Sequence, residues 1–417
     1  MHILPLTDAN EKKMLASRCT NSRAAERVAG RIVADVRRRG DAALFAWTKR
    51  LDRLAVGPGN VWISRAEMRV ARKSVSREFL AAIDHAARNI RAVARRQKPQ
   101  EWMIEVEPGV RAGQRVRPIE SVGCYLPGGR FSLASTLLMT VIPAQEAGVR
   151  EIVVASPQPG PALLAAAEKL GVRRVARVGG AQAIAALAYG TRSIPRVAKI
   201  CGPGNRFVTA AKKIVSNDCA IDMLAGPTEA LVFAVRGNAR FIAADLIAQA
   251  EHDPDAISVL VTTSTRLARA VAAEIERQLA ELPKSNLARR SLSKNGAILV
   301  AKNLANAAQF VNRFAPEHLS LPGGADGLLG RIDSAGSIFL GDWSAQSFGD
   351  YASGTNHVLP TGGVARTRGG LSVSDFVKCI GVQQVSRVGV RRLAPVVKQF
   401  ARAEGLAAHA RSVEVRK

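Results

Sequence analysis

In the middle of the chain, short apolar runs alternate with longer stretches in which apolar residues recur at helical spacing. The first of these stretches ends at Gly171, and glycine commonly caps helices at their carboxyl ends. Strands that alternate with helices in this order are typical of a parallel, doubly wound sheet. The predicted strands are 152–155, 175–178 and 197–201, and the predicted helices are 163–170, 181–189 and 206–215.

A second alternating region predicts a second lobe. Its strands are expected at 230–235, 257–261, 298–300 and 337–340, with helices at 239–249 and along the stripe Leu267, Val271, Ile275 and Leu279. Helical spacing also runs through 22–50 and 79–97, and the tail from 371 onward is predicted to form separate helices. The predicted fold class is α/β, with two doubly wound lobes and small helical pieces at both ends.

The same patterns suggest a division of the chain. We expect an N-terminal segment at 1–19, a discontinuous first α/β lobe made of 20–118 and 228–370, a second α/β lobe at 119–227 and a helical tail at 371–417.

Composition narrows the class of protein. A chain of 417 residues that is 47% hydrophobic and 23% charged is typical of a globular protein with more than one core. Its apolar runs fall short of the roughly 18–20 residues that a membrane span needs. The first ten residues lack the charged and apolar regions of a signal peptide. We therefore expect a cytoplasmic protein that does not enter a membrane.

The chain is strongly basic, with 60 lysines and arginines against 34 acidic residues and a net charge of +26. The basic residues are dispersed, and the longest cluster is Arg37, Arg38 and Arg39. Aromatic residues, on which bases would stack, make up only 5% of the chain. These features argue against specific recognition of nucleic acid, although we expect non-specific adhesion to polyanions at low salt.

The five cysteines are widely spaced and form no CxxC pair; they are Cys19, Cys124, Cys201, Cys219 and Cys379. An odd number at such spacing argues against a disulfide framework and excludes an all-thiolate zinc site. We expect most of them to be small buried apolar residues.

Three polar segments contain the residues best suited to chemistry. Gln249 and His252 are three apart at the predicted end of a helix, so they could share one metal ion, or His252 could simply cap the helix. Glu317 and His318 are adjacent and could be an acid and a base, or a surface polar pair. Asp350 begins a glycine-bearing run that ends at His357, and it could be an oxygen ligand or part of a turn.

Two glycine turns could hold an anionic or aromatic ligand. Gly202-Pro-Gly-Asn205 lies between a predicted strand and a predicted helix, where exposed amides attract phosphate or carboxylate. The turn 125–130 carries Tyr125, whose ring could cover a ligand. Neither turn has the GxGxxG dinucleotide pattern, and ordinary turn chemistry remains an alternative for both. Glu404 and His409 have the spacing of solvated helix residues.

Taken together, these segments resemble the histidinol dehydrogenase family, in order and over nearly the whole chain. The matching runs are CYLPGGR at 124–130, GAQAI at 180–184, CGPGN at 201–205, AGPTE at 225–229, QAEH at 249–252, APEHL at 315–319 and GDYASGTNHVLP at 349–360. The last run is long and specific.

The resemblance implies two incomplete Rossmann-like lobes, the second of which binds NAD. It implies a zinc-dependent oxidation of L-histidinol through L-histidinal to L-histidine, the last two steps of histidine biosynthesis, with two NAD+ reduced. It also implies a homodimer with shared active sites, in which the tail of one subunit completes the site of the other.

Roles carry over by resemblance, position by position. The resemblance implies that one zinc ion per subunit is bound by Gln249, His252, Asp350 and, from the other subunit, His409. It implies that His318 is the general base and that Glu317 activates the water of the second step. Substrate contacts would come from the zinc ligands, from Glu317 and His318, and from Thr228 and the partner subunit's Glu404. NAD contacts would come from Tyr125, Gln182 and Asn205.

The chain departs from the family pattern at two positions. Thr228 stands where serine is usual, which keeps the hydroxyl and adds a methyl group, and Asp253 stands where glycine is common after the QAEH run. Two alternatives stay open. One is a sister enzyme that oxidises another polar alcohol, such as a sulfonated diol, and the other is a basic nucleic-acid-binding protein on a retired enzyme fold.

Overall fold

The strands assemble into a six-stranded parallel sheet, a five-stranded parallel sheet and a three-stranded antiparallel sheet in the computed structural model, which describes residues 1–18, 23–128 and 133–416. Cys19 and the end of the predicted 125–130 turn, Gly129 and Arg130, lie outside the described residues. Within the described part of the chain, no helix has the length and apolarity required to cross a membrane.

The strands and helices alternate through most of the chain. The strands are β1 His2–Pro5, β2 Trp102–Glu107, β3 Val110–Pro118, β4 Ser121–Tyr125, β5 Glu151–Ala155, β6 Arg174–Ala176, β7 Lys199–Cys201, β8 Ala220–Ile221, β9 Glu229–Phe233, β10 Ile257–Thr262, β11 Ala297–Val300, β12 His318–Leu321, β13 Ser337–Leu340 and β14 Val377–Val385. The α-helices are α1 Asp8–Ala16, α2 Arg23–Arg39, α3 Asp41–Asp52, α4 Arg65–Ser74, α5 Arg77–Gln97, α6 Ala134–Ala147, α7 Pro161–Lys169, α8 Gly180–Tyr189, α9 Arg206–Val215, α10 Ala239–Ala250, α11 Thr265–Glu281, α12 Ala288–Asn295, α13 Leu304–Phe314, α14 Gln346–Tyr351, α15 Arg387–Ala403 and α16 Ala407–Glu414. Short 3-10 helices lie at Ala325–Arg331, Val364–Arg366 and Val373–Phe376.

The predicted α/β class and the two parallel sheets are confirmed. The five-stranded sheet has the order β6-β5-β4-β7-β8, and the six-stranded sheet has the order β1-β11-β10-β9-β12-β13. Strands β9 and β10 are buried along their whole length, because helices cover both faces of a parallel sheet. The predicted stripe of α11 is also confirmed, since Leu267, Val271 and Leu279 are buried.

The helices between 23 and 97 pack differently from the predicted division. We expected 20–118 to belong with the first lobe, but α2 packs on α8 and α9, α4 on α7, and α5 on α6. These helices bury their apolar faces against the five-stranded sheet, which has two faces to cover. The first residues also differ, because β1 pairs with β11 and forms the edge of the six-stranded sheet.

Two local predictions are wrong for identifiable reasons. The helix expected over 22–50 is broken at Gly40, whose φ of 56° ends α2 before α3 begins. The tail from 371 contains a strand as well as helices, because β14 pairs antiparallel with β3 along its whole length. That pairing joins residues more than 250 positions apart, so local spacing could not reveal it.

Candidate active site

A cavity of about 210 Å³ lies between the two lobes. The five-stranded lobe contributes residues that follow β7 and β8, including Gly202, Gly204 and Asp222. The six-stranded lobe contributes residues just before β9 and at the start of β12, and α14 adds Asp350. The carboxyl ends of one sheet therefore face the amino ends of the other across the cavity.

The backbone turns sharply to place Glu317 and His318 in this cavity. Helix α13 ends at Phe314, and Ala315 adopts a left-handed conformation with φ 46°, which is uncommon for a residue with a side chain. Pro316 cannot continue a helix. The next residues enter β12, between β9 and β13, so both side chains emerge where the two lobes meet.

Glu317 is held by two hydrogen bonds to the same oxygen. Its Oε2 accepts from the Thr228 hydroxyl at 2.6 Å and from the Glu229 backbone amide at 2.8 Å. Burial raises the pKa of Glu317 to about 7, against the opposing effects of the His318 charge and of these hydrogen bonds. A carboxyl group with this pKa can accept or release a proton near neutral pH.

His318 is buried and hydrogen-bonded through both ring nitrogens. Its Nδ1 lies 3.2 Å from the Glu229 carbonyl oxygen, which only accepts, so Nδ1 carries a hydrogen. Its Nε2 lies 3.2 Å from Asp350 Oδ1. Burial lowers the pKa of His318, but the charges of Glu317 and Asp350 and the hydrogen bonds outweigh it and raise the pKa to about 9. The surroundings therefore stabilise the imidazolium form.

Two of the four expected zinc ligands line the cavity, and a third, Gln249, is hydrogen-bonded to Thr228 in its wall. Gln249 is buried at the end of α10, and its Nε2 donates to the Thr228 hydroxyl, so the amide oxygen is the atom suited to a cation. His252 and Asp350 both line the cavity. We predicted that His252 would lie on the same helix as Gln249. This prediction is wrong, because α10 ends two residues before His252, at Ala250.

The fourth expected ligand is elsewhere in this chain. His409 and Glu404 are exposed on the tail, in α16 and at the end of α15, and neither lines the cavity. Within the described ranges, no group of three or more His, Cys, Asp or Glu side chains could hold a metal ion. A single chain thus offers His252, Asp350 and the Gln249 oxygen, which are nitrogen and oxygen donors of the kind zinc accepts.

Asp253, the residue that replaces the common glycine, has a structural role. Its Oδ1 accepts from the Asp255 backbone amide at 2.8 Å, and its carbonyl oxygen accepts from the Ala256 amide at 3.0 Å. The side chain therefore stabilises the turn that follows His252.

Two of the three predicted cofactor residues, Tyr125 and Asn205, lie near the point where the strand order of the five-stranded sheet reverses. Strands β5 and β6 lie on one side of β4, and β7 and β8 lie on the other. Ligands of open α/β sheets bind outside the carboxyl ends of strands at such a point. Tyr125 ends β4, and Asn205 caps α9 just after β7, with Oδ1 accepting from the Phe207 and Val208 amides.

Tyr125 and Gln182 are more enclosed than we expected. The Tyr125 hydroxyl accepts from the Gly180 amide at 3.1 Å, and the ring is buried in the core. Gln182 is fully buried and donates to Asp52 Oδ2 at 2.9 Å, and its own Oε1 has no hydrogen-bond partner within the described ranges. The structure does not bring these two side chains into the cavity, and their contact with NAD stays a prediction.

Three cavity residues received no role from the sequence, although His357 was named as the end of a polar run. His357 lies 2.7 Å through Nδ1 from the Asp350 carbonyl oxygen and 3.1 Å through Nε2 from the Thr136 hydroxyl. Lys212 and Asp222 form a buried ion pair in the opposite wall. The sequence could have indicated that Lys212 is buried. It falls on the apolar stripe of α9 with Val208 and Val215, where a charged residue is unusual.

Comparison with known proteins gives a consistent result. A family model described as histidinol dehydrogenase matches residues 15–417. The chain is 45% identical to the histidinol dehydrogenase of Geobacter sulfurreducens, over 98% of this chain and 97% of that protein. It is 48% identical to that of Geobacillus kaustophilus, over 92% of each.

A solved structure agrees with the sequence relatives. The crystal structure of histidinol dehydrogenase from Elizabethkingia anophelis superimposes with a TM-score of 0.94 at 38% identity, covering 100% of this chain and 97% of that one. The resemblance that the motifs suggested is therefore confirmed over the length of the chain, and the chain belongs to the histidinol dehydrogenase family.

Proposed function

We propose that this chain oxidises L-histidinol through L-histidinal to L-histidine, with two NAD+ reduced for each substrate. The observation that carries the proposal is the buried Glu317–His318 pair, fixed by Thr228 and Glu229 at the cavity of a chain that belongs to this family. The reaction needs a base twice at one carbon and an activated water once, and adjacent residues can supply both.

In the first oxidation, the neutral form of His318, which predominates only above the pKa of about 9, takes the hydroxyl proton of the alcohol through Nε2 while the carbon transfers hydride to the nicotinamide. The hydrogen bond from Nδ1 to the Glu229 carbonyl oxygen fixes the ring so that Nε2 is the reacting atom. Asp350 and Glu317 stabilise the imidazolium that forms, because both carboxylates lie beside the ring. The product of this step is the aldehyde.

In the second oxidation, Glu317 removes a proton from a water molecule as the oxygen adds to the aldehyde carbon. Glu317 returns that proton to the former aldehyde oxygen, and the resulting diol loses a proton to His318 and a hydride to a second NAD+. The carboxylic acid that forms releases its remaining proton to water and becomes the carboxylate. The raised pKa of Glu317, about 7, suits a group that accepts a proton and then returns it. Thr228 would also contact the substrate, because it lines the cavity beside Glu317.

We infer that zinc binds at Gln249, His252 and Asp350, with the partner subunit's His409 as the fourth ligand. Zinc, when bound, supplies a Lewis-acidic anchor for the imidazole and amine of histidinol. His252 and Asp350 share the cavity, and Thr228 orients the amide of Gln249, so the residues of this chain fit such a site. Chelation should therefore abolish activity, and added zinc should restore it.

We also propose a homodimer whose subunits exchange their tails. Apolar side chains are exposed on the tail helix, on β2 of the antiparallel sheet and on the segment that carries Asp350. They are Val396 and Phe400, Trp102, Ile104 and Val106, and Trp343, Phe348 and Tyr351. Exposed apolar surface of this extent marks an interface. A second copy that covered it would bring its Glu404 and His409 to the cavity. We place this dimer in the cytoplasm, without a nucleic-acid or membrane partner.

The first test is the yield of NADH from L-histidinol, with and without a zinc chelator. Two NADH per histidinol, lost on chelation and regained with zinc, is the expected result. Glu317→Gln should slow the oxidation of supplied histidinal far more than that of histidinol, whereas His318→Asn should slow both. No NADH from histidinol by a folded, zinc-bearing dimer would refute the assignment and favour the sulfonated-diol alternative.

Mixing two inactive variants tests the shared site. Asp350→Asn breaks the cavity of its own subunit, and His409→Asn breaks that of the partner. Exchange between the two homodimers should restore about one quarter of the wild-type activity, because half of the dimers are mixed and each mixed dimer has one intact site. Activity that stays absent after confirmed exchange would contradict the exchanged tails.

A further inference from the structure

The wall of the cavity opposite Glu317 contains an ion pair whose function is unassigned. The side chains of Lys212 and Asp222 are 3% and 1% exposed, and both residues line the cavity. Burying two charges costs free energy that their mutual attraction often fails to offset, so such a pair is poor evidence for a purely stabilising role. Its partners indicate what it does instead.

Both members of the pair hold the same residue, Gly202. Lys212 Nζ donates to the Gly202 carbonyl oxygen at 3.0 Å, and Asp222 Oδ2 accepts from the Gly202 amide at 2.7 Å. Asp222 Oδ1 accepts from Lys212 and from the Met223 amide. The donor and the acceptor of one peptide residue are thus fixed by two opposite charges that also fix each other.

Gly202 opens the loop 202–205, which leads from β7 to α9. Its φ of 114° suits only glycine, and a Cβ there would lie 2.1 Å from the Tyr125 carbonyl oxygen. Because glycine has access to many backbone conformations, contacts from outside the loop are needed to hold it in one geometry. The ion pair supplies these contacts from the cavity side, and Tyr125 bounds the loop on the other side.

The loop has the features of a cofactor cradle. It lies where the strand order reverses, its first three residues line the cavity, and it leads into the amino end of α9, whose dipole favours an anion. An ammonium group has three hydrogens, and Lys212 uses two of them on Gly202 and Asp222 within the described ranges. The third can donate to an anionic oxygen of a molecule in the cavity.

We propose that Lys212 and Asp222 are a positioning pair for the cofactor. The pair holds the loop 202–205 in the geometry that receives the anionic part of NAD. This inference rests on the proposed function, because it takes NAD as the molecule that the loop receives. It predicts a selective effect. Loss of the pair weakens NAD binding while zinc binding and histidinol binding, which depend on the other lobe, are retained.

The test compares Lys212→Met with Lys169→Met in the full-length dimer. Lys169 is a matched control, since it forms an ion pair with Asp84 in the same lobe, its side chain is 15% exposed, and it does not line the cavity. The measurements are the NAD dissociation constant by calorimetry, the KM for NAD and for histidinol, the zinc content and the melting temperature.

We expect Lys212→Met to raise the dissociation constant and the KM for NAD about tenfold, with zinc content and the KM for histidinol unchanged. Lys169→Met should lower the melting temperature and leave NAD binding, both KM values and the zinc content unchanged. If Lys212→Met does not fold, the double variant Lys212→Met/Asp222→Leu removes both charges and leaves none unpaired, and it should show the same rise.

An NAD dissociation constant within twofold of wild type in a folded variant would overturn this inference and leave the proposed function standing. Equal loss of NAD and histidinol binding would also overturn it, because that pattern indicates general damage. Failure of the unaltered enzyme to bind NAD would instead overturn the cofactor assignment, and this inference with it.

Discussion

Replacement of Thr228 by valine tests the site most directly, because one hydroxyl supports both halves of the proposed chemistry. The hydroxyl donates to Glu317 Oε2 at 2.6 Å and accepts from the amide of Gln249. Valine has nearly the same shape, so the change removes two hydrogen bonds and little packing. Thr228→Ser is the matched control, since it keeps the hydroxyl and removes only the methyl group.

The expected magnitude follows from these contacts. A hydrogen bond to a charged group contributes about 1.5–3 kcal/mol. Loss of a residue that orients a metal ligand typically weakens metal binding or activity by about 10–100-fold, which corresponds to about 1.4–2.8 kcal/mol. We therefore expect Thr228→Val to weaken zinc binding and to lower kcat/KM for histidinol by about 10–100-fold. The hydrogen bond from Thr228 lowers the pKa of Glu317, so its loss should also move the acidic limb of the pH profile of the second step, where Glu317 becomes protonated, to higher pH.

The assay is competition for zinc with a chromophoric chelator, followed by NADH production from histidinol and from histidinal between pH 6 and pH 10. Thr228→Ser should remain within about threefold of wild type in every measurement. The reasoning would be refuted by a Thr228→Val enzyme that binds zinc normally and keeps wild-type kcat/KM. It would also be refuted if valine and serine had equal effects.

Three further predictions concern the surroundings of the site. Glu229→Gln leaves Arg18 without its buried partner and should lower the free energy of unfolding by about 3–5 kcal/mol in urea titrations, and a change below about 1 kcal/mol would contradict this. Cys124→Ala should retain both oxidations in NADH assays, because Cys124 is fully buried with its sulfur 3.8 Å from that of Cys201; loss of the second oxidation alone would favour a thiohemiacetal at this residue. Burial raises the pKa of Asp245 from 3.8 to about 7, so ionisation destabilises the folded protein progressively from about pH 4 to pH 7 and fully above it. Asp245→Asn should therefore increase stability at pH 8, by at most about 4 kcal/mol, and not at pH 4, and an equal effect at both pH values would exclude this cause.

The local parts of the fold were predictable because their signals are local. Helix α9 was placed at its observed bounds, since Asn205 caps its start and its apolar residues recur at helical spacing. Strands β9 and β10 were found from apolar runs, which follow from burial on both faces. Strand β14 was missed because its residues are mostly exposed and its partner, β3, is distant in sequence.

The candidate site was predictable only in part. Spacing placed Gln249 and His252 together, and the structure brings His252 to the cavity and Gln249 to Thr228 in its wall, although the two are not on one helix. Asp350 was expected in a loop and lies in the short helix α14, where His318 contacts it. No periodicity could assign roles to Glu404 and His409, because the roles proposed for them require a second chain, and only the resemblance suggested them.

The edge position of β1 has a consequence for synthesis of the protein. Strand β1 leaves the ribosome first but pairs with β11, nearly 300 residues later in the chain. Most of the five-stranded lobe, by contrast, lies between residues 23 and 221, and only a small part of its core, including Leu371 and Phe376, comes later, so most of this lobe can form while translation continues. Strand β1 therefore has no partner until β11 has been made, and the six-stranded sheet closes late, after most of the five-stranded lobe has formed.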